Sequence, residues 1–200
     1  MTAFSAMSPA GSERSAATPT NSTDRTGFAA ASTALRVGYR IDPATGAAST
    51  FAEGLPATLP WVGLGGAMDV AFHDGIAYAL VTLVGSDVGG TDVVGIYRID
   101  GPDEVTPIAD IGSFTLANPS PTDWFIPSGV QYAMEPWRGG FLVTDGHHNR
   151  VLRVTLDGHV SESRGFDNIV PTGLEVQGST VYVAQLGPAP NAPADGKVLA

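Results

Sequence analysis

Residues 141–160 set the pattern for the chain: an apolar run, a polar turn, a run of alternating apolar and polar positions, and a glycine turn. Phe141-Leu142-Val143-Thr144 is apolar and β-branched. Asp145-Gly146-His147-His148-Asn149 is turn chemistry, and Val151-Leu152-Arg153-Val154-Thr155 alternates until Asp157-Gly158 reverses the chain again. Short runs bounded by Gly, Asp and Asn predict antiparallel strands joined by tight turns. From residue 35 onward no helical period is present and turn signals arrive every few residues. The predicted strands are 35–42 and 47–52, then 68–72, 76–83, 93–100 and 105–110, then 132–134, 141–145, 151–155 and 159–164, and finally 173–176 and 181–186. A longer Pro-rich connection, 111–128, separates the second set from the third.

The strands repeat. Tyr39-Arg40-Ile41-Asp42, Tyr97-Arg98-Ile99-Asp100 and Leu152-Arg153-Val154-Thr155 share an aromatic or aliphatic residue, an arginine and a β-branched residue, and the arginines lie 58 and 55 positions apart. Leu199 continues this register 47 positions after Leu152, and Ala71-Phe72 lies 104 positions before Glu175-Val176. A period near fifty residues with four short strands per unit is the signature of a β-propeller. The fold class expected is therefore all-β, with four-stranded antiparallel blades forming a partial arc of about three to four blades. A β-sandwich is the alternative, although it predicts no fixed period. Two full units and two partial ones do not close a ring, and residues 196–200 fall inside an expected third strand, so the chain is expected to be a fragment of a longer one.

Composition narrows the picture. Two hundred residues, 43% of them apolar, are enough for a single core, which is expected over residues 34–200. Residues 1–33 are rich in Ala, Ser, Thr and Pro without periodicity and are expected to be a disordered tail. That tail lacks a positive n-region, and Phe28-Ala29-Ala30-Ala31 is too short for an h-region, so no signal peptide is visible. No run reaches the roughly eighteen apolar residues of a membrane span, which predicts no membrane insertion. A net charge of −10 without a basic cluster argues against nucleic acid as a partner. The absence of cysteine excludes disulfides, thiolate metal sites and cysteine nucleophiles. No nucleophile elbow, P-loop or dinucleotide fingerprint is present.

Asp145-Gly146-His147-His148-Asn149-Arg150-Val151 resembles the NHL-type repeat, in which an Asp ending one strand and an Asn-Arg pair opening the next brace the turn between them. Over residues 37–200 the chain is similar to the ScyD/ScyE family of six-bladed propellers, found with scytonemin pigment clusters and more widely in bacteria. The residues that carry the similarity are Tyr39-Arg40-Ile41-Asp42-Pro43-Ala44-Thr45-Gly46, Asp69-Val70-Ala71-Phe72, Gly95-Ile96-Tyr97-Arg98-Ile99, Asn118-Pro119 with Asp123-Trp124, and Val170-Pro171-Thr172-Gly173. Val181-Tyr182-Val183-Ala184-Gln185-Leu186 and Gly196-Lys197-Val198 also fit. Where the family runs Ser-Asn-Pro-Tyr into the inner strand, this chain has Ser128-Gly129-Val130-Gln131-Tyr132, and the unstructured tail replaces the family's exported N-terminus. The resemblance implies a six-bladed propeller, extracellular or periplasmic in its full-length parent, and transfers no reaction.

Asp145 and Arg150 are placed to meet across a short hairpin while Asn149 supports the turn, a structural role for all three. His147-His148 invites zinc, but adjacent residues point in opposite directions and His73 and His159 sit beside separate glycine turns, so a solvated turn is the expected alternative. In propellers ligands bind at the channel mouth, which places Asp69, Gln131, Tyr132, Asn168, Thr172 and Glu175 as candidates for a ligand or for Ca²⁺. Asp69 and Glu175 lie within alternating strands, so each faces either the channel or a neighbouring blade. Trp61, Trp124 and Trp137 are the aromatic reserve, Trp124 serving either a groove for a small molecule or peptide or a packed loop cover. Three functions follow: a non-catalytic binding or assembly module for a small molecule or protein, a lactonase-type hydrolase or lyase with a channel metal, or an NHL-like protein-interaction scaffold.

Overall fold

The computed structural model describes residues 38–121, 126–190 and 193–200, and these are mostly β. The tail 1–33, the start of the first predicted strand and Trp124 lie outside the described residues. Strands β1 (Gly38–Ile41) and β2 (Ala48–Ala52) form a hairpin. Next, β3 (Gly66–His73), β4 (Ile76–Thr82), β5 (Gly95–Gly101) and β6 (Glu104–Asp110) make a four-stranded antiparallel meander. A second meander follows from β7 (Gln131–Pro136), β8 (Gly140–Asp145), β9 (Arg150–Thr155) and β10 (Val160–Gly165). The last sheet has three strands, β11 (Pro171–Gln177), β12 (Thr180–Gln185) and β13 (Lys197–Leu199). Each predicted strand has an observed counterpart, shifted at its ends by a few residues.

One element runs against the sequence reading. The connection after β6 opens with a helix, α1 (Ile111–Ala117). Asp110 caps it, accepting the Ser113 backbone N–H at 2.8 Å and the Ser113 hydroxyl at 2.7 Å. Ile111 and Thr115 are buried on one side of it. Seven residues span less than two turns, too few for a 3.6-residue period to show against the noise of sequence.

Strand alternation decides how the sheets pack. In β4, Tyr78 and Leu80 point toward the second meander, where Phe141, Val143, Leu152 and Val154 meet them, while Ala79 and Val81 pack under Leu55 on the opposite face. In β8, Leu142 points away from the first meander and packs with Val183 of the three-stranded sheet. Phe141 is fully buried, its ring centroid 4.9 Å from that of Tyr78 and 6.1 Å from that of His73.

The first strands of successive sheets adjoin and run the same way, because Gln131 at the start of β7 reaches Thr82, the partner of Gly66 at the start of β3. Antiparallel order then sorts the connections into two groups. The β3–β4, β5–β6 and β11–β12 turns are two residues long and gather at one end. The long connections, 83–94, 111–130, 166–170 and 186–196, gather at the other with the 146–149 turn.

Candidate functional site

The long-loop end holds most of the buried polar side chains. Thr82, Gln131, Thr144 and Asp145 are fully buried there, and Ser128, Asn149 and Arg150 nearly so. Buried polar groups need partners, and several of the partners here belong to a different sheet or its entry. Thr82 donates its hydroxyl hydrogen to Gln131 Oε1 at 2.7 Å and its oxygen accepts the Gln131 backbone N–H at 3.2 Å. Gln131 Nε2 donates to the Ser128 carbonyl at 3.0 Å. Thr144, at the corresponding place in the second meander, accepts the Ala133 N–H at 3.0 Å and donates to the Thr172 carbonyl at 3.1 Å. Gly129, at φ +77°, leaves no room for a Cβ, which would run into Asp145 Oδ1 and Gln131 Nε2.

The 145–150 turn is the centre of this end. Asp145 Oδ2 lies 3.2 Å from Arg150 Nε and 3.0 Å from His148 Nδ1. Arg150 Nη1 donates to the Asn118 carbonyl at 2.9 Å, and Arg150 Nη2 is 3.1 Å from His148 Nδ1. One ring nitrogen cannot serve both neighbours: protonated, Nδ1 donates to Asp145; bare, it accepts from Arg150. The expectation of a solvated turn is corrected, since His148 is 6% and Asn149 1% exposed. The chain returning from β10 covers the turn: Phe166 N–H donates to the Asn149 carbonyl at 2.8 Å. Asn149 does more than support its own turn. At φ +53° its Oδ1 accepts the backbone N–H groups of Ile169 and Val170, both at 2.9 Å, and fastens the entry to the next sheet.

The channel candidates go to different places. Asp69 bridges two first strands, accepting the Val70 N–H through Oδ1 and the Met134 N–H through Oδ2, each at 2.8 Å. Of the two directions open to it, it takes the neighbouring sheet. Glu175 is exposed on β11. Asn168 clamps the next loop, donating to the Ala189 carbonyl at 3.2 Å and accepting the Ala189 N–H at 3.1 Å. Thr172 donates to the Ala184 carbonyl at 3.4 Å. Tyr132 is half-buried against Gly146, and burial, then Asp145, pushes its hydroxyl pKa up. Glu175 and Asp69 each act on Glu135, whose carboxyl is pushed up first by burial and then by those two. His147 is pushed down from 6.5, chiefly by burial and further by His148, against the pull of Asp145. His73 packs on Phe141 and His159 lies in the β9–β10 turn, so the histidines do not converge. Among the described residues no three His, Cys, Asp or Glu side chains are placed to hold a metal ion.

Of the tryptophans, Trp61 donates Nε1–H to the Val88 carbonyl at 2.9 Å, and Trp137 stacks under Arg138 at 4.5 Å. A cleft of about 230 Å³ opens beside α1, with Asp87, Asp92 and Asp110 along it. Asp87 accepts the Ser128 N–H at 2.9 Å, and Asp110 is the helix cap. Below it Tyr97 is pushed up to about 12, first by burial and then by Asp92. Sequence reasoning passed over Thr82, Thr144 and Glu135. The two threonines had a signal: each ends or nearly ends an apolar second strand, 62 positions apart.

Comparison with family models, with curated proteins and with solved structures finds no match to this chain. No helix among the described residues is long and apolar enough to cross a membrane.

Proposed function

We propose that this chain is a non-catalytic binding or assembly module, built as an arc of a β-propeller of the ScyD/ScyE kind. The propeller reading draws support from the direction of equivalent faces. Ala79 and Val81, Phe141 and Val143, and Val181 and Val183 occupy matching places in β4, β8 and β12, and each pair packs toward the layer before it. Sheets stacked in one sense, with their first strands adjoining, suit an arc around an axis better than a sandwich, whose two sheets bury opposed inner faces.

The observation that carries the module reading is what the polar side chains do. Asp69 and Gln131 hydrogen-bond across adjoining sheets, Asn149 holds the entry to the next sheet, Asn168 holds a connecting loop and Thr172 bonds within its own hairpin. A catalytic metal centre needs at least three convergent donors with a free position, and these side chains are instead engaged in bonds to strands and loops.

Titrating Ca²⁺ and Zn²⁺ into the purified chain during thermal unfolding tests this. A channel metal at a hundred times its Kd adds about 2.7 kcal/mol, which raises the midpoint by roughly 5–10 °C in a chain of this size. The expected result is no saturable shift with either ion, together with a lowered midpoint for Asp69→Asn in metal-free buffer. A saturable rise of several degrees, abolished in Asp69→Asn and Glu175→Gln, overturns the module in favour of a metal-dependent enzyme.

A further inference from the structure

The cleft beside α1 contains a polar group that the fold itself leaves unused. Ser128 lines the cleft and is only 2% exposed, yet among the described residues its hydroxyl has no hydrogen-bond partner. The backbone of Ser128 is engaged: its N–H donates to Asp87 Oδ2 at 2.9 Å, and its carbonyl accepts from the Thr115 hydroxyl at 2.9 Å and from Gln131 Nε2 at 3.0 Å. The hydroxyl is therefore the polar group that Ser128 has left to offer the cleft. A buried hydroxyl without a partner is costly, and native folds rarely keep one unless a group from outside the chain completes it.

The surroundings define the chemistry of that group. Asp87, Asp92 and Asp110 stand along the cleft, and among the described residues no lysine or arginine lines it. In a chain of net charge −10 such a place draws in a cation. The carboxylates keep acceptor capacity: Asp87 gives Oδ2 to Ser128, and each Asp110 oxygen accepts once from Ser113, while the Asp92 side chain accepts no hydrogen bond among the described residues. They are not placed to share one metal ion. A planar guanidinium, with five N–H donors in a fork, reaches separate carboxylates and a hydroxyl at once. Leu116 and Val93 supply an apolar wall for a short aliphatic stem. The loop is also set in advance, since the Gly90 N–H donates to the Gly85 carbonyl at 2.8 Å and the Asp92 N–H to the Val84 carbonyl at 3.1 Å, so little ordering opposes binding.

We propose that this cleft binds a guanidinium group on a short aliphatic stem, with Ser128 Oγ accepting one of its N–H groups and Asp87 and Asp92 balancing its charge. The group belongs either to a small organic cation or to an arginine side chain of a partner, and the chemistry of recognition is the same for both. The proposal rests on the binding-module reading, for which it supplies a ligand class. It shares no residue with the metal test at Asp69 and Glu175, so each can fail alone.

The test titrates the full chain with butylguanidinium chloride at constant ionic strength, reading heat and the amide resonances of Asp92 and Ser128. Butylammonium and calcium chloride are the controls. Saturable binding that moves both amides is expected, with butylammonium about threefold weaker. Ser128→Ala weakens binding about fivefold and leaves the thermal midpoint where it was, because the hydroxyl has no partner in the fold to lose. Asp92→Asn, a change at an exposed side chain, weakens it about threefold. A blocked glycine-arginine-glycine tripeptide distinguishes the sources: binding at least as tight as that of butylguanidinium assigns the site to a partner's arginine, and markedly weaker binding assigns it to a small cation. The absence of saturable binding overturns the proposal, as does butylammonium binding as tightly or calcium displacing the guanidinium. Undiminished binding to Ser128→Ala, or a midpoint lowered by several degrees in that variant, overturns it as well.

Discussion

Replacing Asn149 by alanine probes the bond that joins the second meander to the sheet after it. The side chain accepts two backbone N–H groups, from Ile169 and Val170, in a place where Asn149 is 1% exposed. Losing the acceptor costs about 1 kcal/mol for each donor that water can reach and about 1–3 kcal/mol for each that stays dry. Alanine also meets the left-handed backbone at φ +53°, a conformation that asparagine tolerates better. The whole change is then about 2–5 kcal/mol, a large share of the roughly 5–15 kcal/mol that holds a domain folded. Asn149→Gly separates the two parts, since glycine keeps the backbone conformation free of strain and still removes the acceptor. Denaturant unfolding of wild type and both variants gives the loss, and hydrogen exchange locates it. Expected outcomes are a loss of at least 2 kcal/mol for the alanine variant, a smaller loss for glycine, and at least tenfold faster exchange at the Ile169 and Val170 amides in both. Unchanged exchange at those two amides refutes the assignment of Asn149 as the inter-sheet tie, whatever the global stability does.

Two further predictions concern the same end of the fold. Burial holds His147 below its ordinary 6.5, so the unfolded chain takes up its proton first; stability is full above about 6.5 and is lost as pH falls through that value toward the lower folded one. Thermal midpoints between pH 7.5 and 5.5 therefore fall more steeply for wild type than for His147→Gln, and equal slopes contradict burial of the imidazole as the cause. Gly129→Ala drives a methyl group into Asp145 and Gln131 from a backbone at φ +77°, so a loss of about 2 kcal/mol or more is expected in urea unfolding. A loss below half a kilocalorie per mole shows that this turn relaxes at little cost.

Local patterning carried the strands. Val-Thr and Ile-Tyr runs of six to eight residues, closed by His73-Asp74-Gly75 or Gly101-Pro102-Asp103, hold their whole signal within the hairpin, and the observed strands follow. The Asp145–Arg150 pairing was legible for the same reason, since only five positions separate the partners. The helix at Ile111–Ala117 was not, because its cap is a single Asp110 and its apolar face is one turn long. What the polar residues do required the tertiary structure. Asp69 meets Met134 across 65 positions, Thr82 meets Gln131 across 49, and Asn149 meets Val170 across 21. Type and spacing in a sequence say that such a side chain needs a partner once buried. Which backbone group supplies it, and whether a carboxylate faces open space or the next sheet, is decided only when alternation within each strand is combined with the stacking of one sheet on another.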